Sequence, residues 1–204
     1  MPLSRDEIQL PRSPRELTAF VEQVRATAAS NEEERKAGHL RIGYYKEFFD
    51  EVVPLAKFAA NAYPGDHTVT PIMGSQGYDA EVRDTSGTLV DRVEIANPID
   101  GRVVAQAGRE LAALGIGGLR ITDPGEEVEE LIPIIARTAA KKAAKDYSDC
   151  TLVFNLAACP PFSGFEERHE AQIARIRVAL AEAGFKAKRV FVLLPSGAVE
   201  RIDA

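Results

Sequence analysis

Two unbroken apolar runs limit this chain more than any other feature: "CTLVFNLAA" from Cys150 and "RVFVLL" from Arg189. A strand with one wet face alternates apolar and polar residues. A strand that reads as a continuous apolar run must be covered on both faces. Between the two runs lies "FEERHEAQIARIRVALAEAG", which carries Ile173, Ile176, Val178 and Leu180 at helical spacing. Strand, amphipathic helix, strand is a crossover unit, and it implies helices packed on a sheet. A last segment, "AVERID", can pair back onto the second run through Pro195, Ser196 and Gly197.

The first third of the chain has a helical period. Ser13 caps a helix, Pro14 takes its first position and Glu16 completes a capping box. Leu17, Phe20, Val21, Val24 and Ala28 then line one face. Asn31 opens a second helical stretch, with Glu34 three residues on. It runs to about Ala62 with a stripe of Leu40, Tyr44, Phe48, Val52 and Leu55. Pro54 should kink or break it, because proline lacks the backbone donor and crowds the preceding turn.

After Pro64-Gly65 the period becomes two. "HTVTPIM", "YDAEVRD" and "LVDRVEIA" read as strands, and Pro71 makes the first an edge or an irregular one. "VAQAGRELAALG" reads as a helix ended by Gly115. "DPGEEVEELIPIIARTAAKKAAKDY" reads as another, capped by Asp123 and started by Pro124. Acids fill its first turns, and Lys141, Lys142 and Lys145 its last, which suits the helix dipole.

The expected fold is therefore α/β, a mixed central sheet with flanking helices. Residues 1–30 would form an N-terminal helical extension, and 31–204 a single α/β domain. A chain of 204 residues can bury a core of that size. Its formal net charge of -6 argues against a protein that coats nucleic acid through a general positive field. A local basic face is compatible with that total. Cys150 and Cys159 have no CxxC and no nearby histidine pair, so neither a disulfide scaffold nor a structural zinc site is expected. No apolar run reaches the roughly 20 residues of a membrane span, and no membrane partner is expected. "MPLSRDEIQLPRSPREL" lacks the apolar core of a signal peptide, so the expected location is cytoplasmic.

The chemistry lies in "GYDAEVRDTSGTLVDRVEIANPIDG", Gly77 to Gly101. Asp79 and Glu94 stand on the two arms of a hairpin whose turn is Asp84-Thr85-Ser86-Gly87. Side chains alternate along each arm. If Arg83 faces Thr88, then Asp79 faces Arg92, and Glu94 is the diagonal neighbour of Asp79, roughly 7 Å away on the same face. Carboxylates at that range can share a hard divalent cation such as Mg²⁺ or Mn²⁺. A register slip of one residue would separate them onto opposite faces. The competing reading is a surface hairpin in which Asp79 pairs with Arg92 across the strands.

A helix, an antiparallel sheet with Asp79 at the start of one strand and Glu94 on the next, then helix and strand, resembles the PD-(D/E)xK restriction-endonuclease-like superfamily. "YDAEV" followed by "VEIANPIDG" is also similar to an uncharacterised bacterial group with a YDA…VEIT…DG pattern. The resemblance covers about Glu32 to Ile202. It implies a restriction-endonuclease-like core, a nucleic-acid partner and phosphodiester hydrolysis with Mg²⁺ or Mn²⁺. Asp79 and Glu94 match the motif acids. Helix-borne Glu47 and Glu51, one turn apart, could add a ligand, and Glu51 completes the expected metal set with Asp79 and Glu94. The motif lysine falls on Ala96. Arg92 on the same face is the first candidate to replace it in a catalytic set with Asp79 and Glu94, followed by Gln106 or Arg109. Ala96 and the acidic net charge also fit an alternative, a catalytically inactive nuclease-fold protein that binds or regulates.

The other candidates carry less. "MGSQG" precedes a strand and is not a nucleophile elbow. "GIGGLR" follows a helix and lacks the helix N-terminus that would hold a phosphate. His39, His67 and His169 are isolated and read as surface or capping residues. "CPPFSG" reads as a stiff loop.

Overall fold

The computed structural model describes residues 3–74, 76–99, 101–114, 124–156 and 166–202, apart from the side chains of 114, 124–130 and 166–169. Gly115, Asp123 and Cys159, with the GIGGLR and CPPFSG segments, lie outside the described residues, as does the side chain of His169. Packing divides the chain into two units: 1–95 with 101–119, and 96–100 with 120–204. The class is α/β with mixed strand pairing and flanking helices, as the sequence implied.

The first unit opens with helices α1 (Arg5–Ile8), α2 (Pro14–Ser30), α3 (Glu32–Leu40) and α4 (Tyr45–Glu47). A π-helical turn (Phe48–Val52) leads into α5 (Val53–Ala62). Strands β1 (Thr68–Pro71), β2 (Ala80–Arg83) and β3 (Leu89–Ala96) follow, then α6 (Gly101–Leu114). Ala96, the last residue of β3, packs with the second unit. The capping box on α2 is present in full, and Leu17, Phe20, Val21, Val24 and Ala28 are all buried. This helix is integral to the unit and not an appended extension: it packs on α3 and α5. The backbone of Arg12, just before it, exchanges hydrogen bonds with Val69 of β1. The guanidinium of Arg12 lies 3.8 Å from the centre of the Phe20 ring.

The long helical stretch after Asn31 is interrupted earlier than Pro54 suggested. The chain leaves α3 at Arg41, which is left-handed at φ 54, and Gly43 follows at φ 59. Tyr44 is thereby turned out to solvent while Phe48, Val52 and Leu55 stay buried. Pro54 sits in the first turn of α5, where its missing N–H costs least. The wider π turn before it makes room for the proline ring without ending the helix.

The second unit holds α7 (Pro124–Ala143), β4 (Asp146–Asn155), α8 (Glu166–Ala181), β5 (Lys186–Leu193) and β6 (Val199–Ile202). β4 and β5 are parallel, and β6 returns antiparallel to β5. The crossover expected from the two apolar runs is therefore present. Leu152, Phe154 and Leu156 pack with Leu131, Ile135, Ile173, Ile176 and Leu180 in one core. Val178 is an exception to the expected stripe at 56% exposure. It is five residues beyond Ile173, about 140° around the helix, and so points away from the core.

Candidate functional site

The hairpin forms, but its register differs from the expected one. Glu81, not Asp79, stands opposite Arg92. Arg83 pairs with Leu89, and the ladder shifts by one residue between Val82 and Arg83, so that Ala80 meets Val93. The cause lies in the turn. The Asp84 carboxylate accepts from the N–H groups of Ser86 and Thr88 at 2.9 and 3.0 Å, and Gly87 takes a φ of 82. That arrangement closes a turn one residue longer than expected, with Asp84 N–H donating to the Thr88 carbonyl. The bulge adds the second residue of offset. Two one-residue departures conserve parity, so the slip that would have separated the acids does not occur.

Asp79 lies one residue before β2 and is fixed from both sides. Its N–H donates to the Val93 carbonyl at 2.7 Å, and its carbonyl accepts from Ile72 at 2.8 Å. Its carboxylate Oδ2 accepts from the N–H of Ile95 at 2.7 Å. These bonds hold Asp79 against the backbone on both sides of Glu94. The preceding loop is tied down as well. The Gln76 amide donates to the carbonyls of Ile72 and Tyr78, and Arg5 reaches from α1 to the Met73 carbonyl at 2.6 Å. Glu94 itself is buried, at 9% exposure.

The third expected acid arrives from the π turn. Glu51 is partly buried, and its carboxyl is pushed up to about 8. Burial is the main cause, followed by the charges of Asp79 and then Glu47. Helix and hairpin therefore bring Glu51 and Asp79 into one electrostatic neighbourhood. Glu47 belongs to it too, and its carboxylate Oε2 is buried with no hydrogen-bond partner among the described residues. Neighbouring Asp50 is also raised, mainly by burial, although Arg41 binds it at 2.9 Å. A π turn in this place is a local departure from α geometry of the kind often found at functional sites.

Arg92, expected in the catalytic set, has a different setting. Its guanidinium lies 5.0 Å from the centre of the Tyr78 ring, across the ladder from Glu81. Glu81 accepts from Arg83 at 2.8 Å and from the Tyr78 hydroxyl at 3.2 Å, and its carboxyl is held below the usual range chiefly by Arg83. Gln106 and Arg109 are on the exposed side of α6, and the Gln106 amide donates to Glu110 at 2.9 Å. Ala96 is 1% exposed and packed among Leu131, Ile135, Leu152 and Phe154. A lysine there would have to bury its charge in apolar surroundings.

Sequence reading missed two buried polar side chains. Asp91 is 2% exposed and accepts from the Tyr63 hydroxyl at 2.7 Å, tying the end of α5 to β3. Asn155, at the end of β4, donates to the Asn97 side chain at 2.8 Å. Neither stands in a motif, and in the sequence both look like ordinary polar residues beside apolar ones.

The donor set suits a hard cation in chemistry: carboxylate oxygens, one of them buried without a donor among the described residues, with Lys46 offsetting the raised Glu51 only in part. Among the described residues, no three His, Cys, Asp or Glu side chains are arranged to hold a metal ion. No helix among them is long and apolar enough to cross a membrane. The chain matches no family model, no curated protein and no solved structure.

Proposed function

We propose that the first unit carries a metal-dependent phosphodiesterase site of restriction-endonuclease-like type, acting on nucleic acid in the cytoplasm. The observation that carries this reading is the crowding of acids around Glu51, which Lys46 offsets only in part. A partly buried carboxyl beside Asp79 and Glu47, with the buried Glu47 oxygen lacking any donor among the described residues, is a costly arrangement unless a cation joins it. The order of helix, three antiparallel strands, helices and a further strand also supports it. Asp79, Glu94 and Glu51 would hold Mg²⁺ or Mn²⁺. A bound ion supplies charge neutralisation at the phosphate and a more acidic water. The chain's own part is positional. Ile95 N–H orients the Asp79 carboxylate, and Arg5 and Gln76 fix the loop that presents it. Arg92, held over Tyr78, is the basic side chain proposed to take the place of the motif lysine in the catalytic set.

The test is incubation of the protein with plasmid, linear duplex, single-stranded DNA and RNA, with Mg²⁺ or Mn²⁺, beside Asp79→Ala and Glu94→Ala. Metal-dependent cutting that both variants lose is the expected result. Absence of cutting on every substrate sinks the reading. The second reading, an inactive nuclease fold that binds, is favoured by one specific observation: the apolar packing around Ala96. It predicts nucleic-acid binding without turnover.

A further inference from the structure

The second unit gathers five lysines at one end. Lys141 and Lys142 close α7, and Lys145 stands on the turn into β4. Lys186 and Lys188 begin β5, with Lys186 opposite Asp146 and Ala187 opposite Tyr147. Lys142 Nζ lies 5.7 Å from the centre of the Tyr147 ring, which locates the end of α7 over the same pair of strands. Lys141, Lys145, Lys186 and Lys188 are exposed.

Dipole complementation at a helix C-terminus accounts for Lys141 and Lys142. It does not account for Lys186 and Lys188, which come from a strand more than forty positions later in the sequence. Asp146 and Asp149 stand at the start of β4, beside Lys186. Asp146 accepts from the Ser148 N–H at 3.0 Å, a bond that with Lys186 holds its carboxyl below the usual range. The patch is thus locally cationic on a chain whose formal net charge is -6.

We propose that this lysine end is a docking surface for the phosphate backbone of nucleic acid, in addition to the acidic site of the first unit. The inference rests on the reading of the protein as one that acts on nucleic acid. Exposed lysines on α7, on the turn after it and on β5 suit sequence-independent phosphate contacts. A membrane surface is the less fitting partner. Interfacial binding adds inserted apolar side chains to basic ones. Among the described residues the exposed large apolar side chains are Leu10, Ile42, Tyr44, Val103 and Val178, none of which is on α7, β4 or β5.

The experiment is fluorescence anisotropy of labelled short DNA and RNA, single-stranded and duplex, titrated with the full chain in EDTA at a series of salt concentrations. The variant is K141E/K145E/K186E/K188E. Lys142 is kept because it packs near Tyr147, and circular dichroism checks the fold. Should the reversal disturb folding, the four Lys→Gln changes replace it. Wild type is expected to bind, with log K falling by about 0.7–0.9 per contacted phosphate for each decade of salt. The variant is expected to lose about a hundredfold in affinity at low salt, and its salt slope should shrink by about 3. Glu22→Gln, on the exposed face of α2, should bind as wild type does. The proposal is overturned by absence of binding, by equal binding of the variant, or by binding to phosphatidylserine vesicles but not to nucleic acid. Because EDTA excludes metal-dependent cleavage, binding without cutting retains this surface and removes the catalytic reading. Cutting with no lysine dependence of binding does the reverse.

Discussion

Glu51 gives the most direct physical test of the acidic site, because its charge state alters stability without any substrate. Its carboxyl is ordinarily near 4.5 and is pushed up to about 8 in the fold. Below 4.5 both folded and unfolded forms hold the proton, and Glu51 carries no penalty. Between about 4.5 and 8 the unfolded chain ionises while the folded one stays protonated, so stability falls as pH rises. Above about 8 the penalty is complete. Each pH unit of that window corresponds to about 1.4 kcal/mol, which would accumulate to about 5 kcal/mol for a group sealed from solvent. Glu51 is only partly buried, and screening by water reduces the expected cost to about 2 kcal/mol. Glu51→Gln keeps the shape and removes the titration. It should therefore match wild type at pH 5 and exceed it by about 2 kcal/mol at pH 8.5, a gain of about 4–8 °C in Tm for a chain of this length. Thermal and urea unfolding in EDTA from pH 5 to 9 would measure this, with exposed Glu22→Gln as the control. Parallel stability curves for wild type and Glu51→Gln would refute the crowding of charge inferred here.

Three other outcomes can be measured on the same protein. At pH 8, Mg²⁺ or Mn²⁺ at tenfold excess over its dissociation constant should stabilise wild type by about 1.4 kcal/mol. Asp79→Ala should show no such gain in differential scanning fluorimetry, and an equal gain would remove Asp79 from the cation site. Asp91→Ala should cost about 2–3 kcal/mol and Tyr63→Phe about 1 kcal/mol in urea unfolding, because the pair makes a charge-assisted hydrogen bond at a buried carboxylate. Additive losses in the double mutant would show that the two side chains are not coupled. Gly108→Ala should destabilise by about 1–3 kcal/mol although alanine is the better helix former, since its Cβ would come 2.3 Å from the His39 carbonyl oxygen. A neutral or stabilising change would mean that α3 and α6 do not approach so closely.

The parts of the fold legible in the sequence were those set by periodicity and by local chemistry. Ser13, Pro14 and Glu16 specify the start of α2 through bonds made within four residues. The apolar runs mark the buried part of β4 and the end of β5, although Thr151 and Asn155 are polar and buried in β4 and Arg189 and Phe191 are only half-buried in β5. What could not be read depends on backbone detail with no signature in residue type. Arg41 turning left-handed ends α3, and arginine gives no hint of it. A π turn, with Phe48 and Val52 buried in it, stands where the sequence suggested a break at Pro54. The integration of α2 also depends on distant residues, Val69 and α5, that sequence distance conceals.

The candidate site divides along the same line. Alternation sets Asp79 and Glu94 on one face of the hairpin, and one helical turn sets Glu47 beside Glu51. The register was not available, because it depends on how Asp84 collects the Ser86 and Thr88 N–H groups and on a bulge at Val82 and Arg83. Those two details move Glu81 into the place opposite Arg92 and release Asp79 from the cross-strand ion pair that would have made it ordinary surface. The same shift has a cost for the catalytic reading. Arg92, the basic substitute proposed for the motif lysine whose place Ala96 takes, is held over Tyr78, opposite Glu81, where its charge serves the hairpin. A variant that frees it, Tyr78→Ala with Glu81→Gln, separates the two roles. If Arg92 supports hydrolysis only when released from that setting, metal-dependent cutting should rise in the double variant and vanish again with Arg92→Ala. If cutting is unchanged by all three substitutions, proton handling at the site belongs to the carboxylates alone.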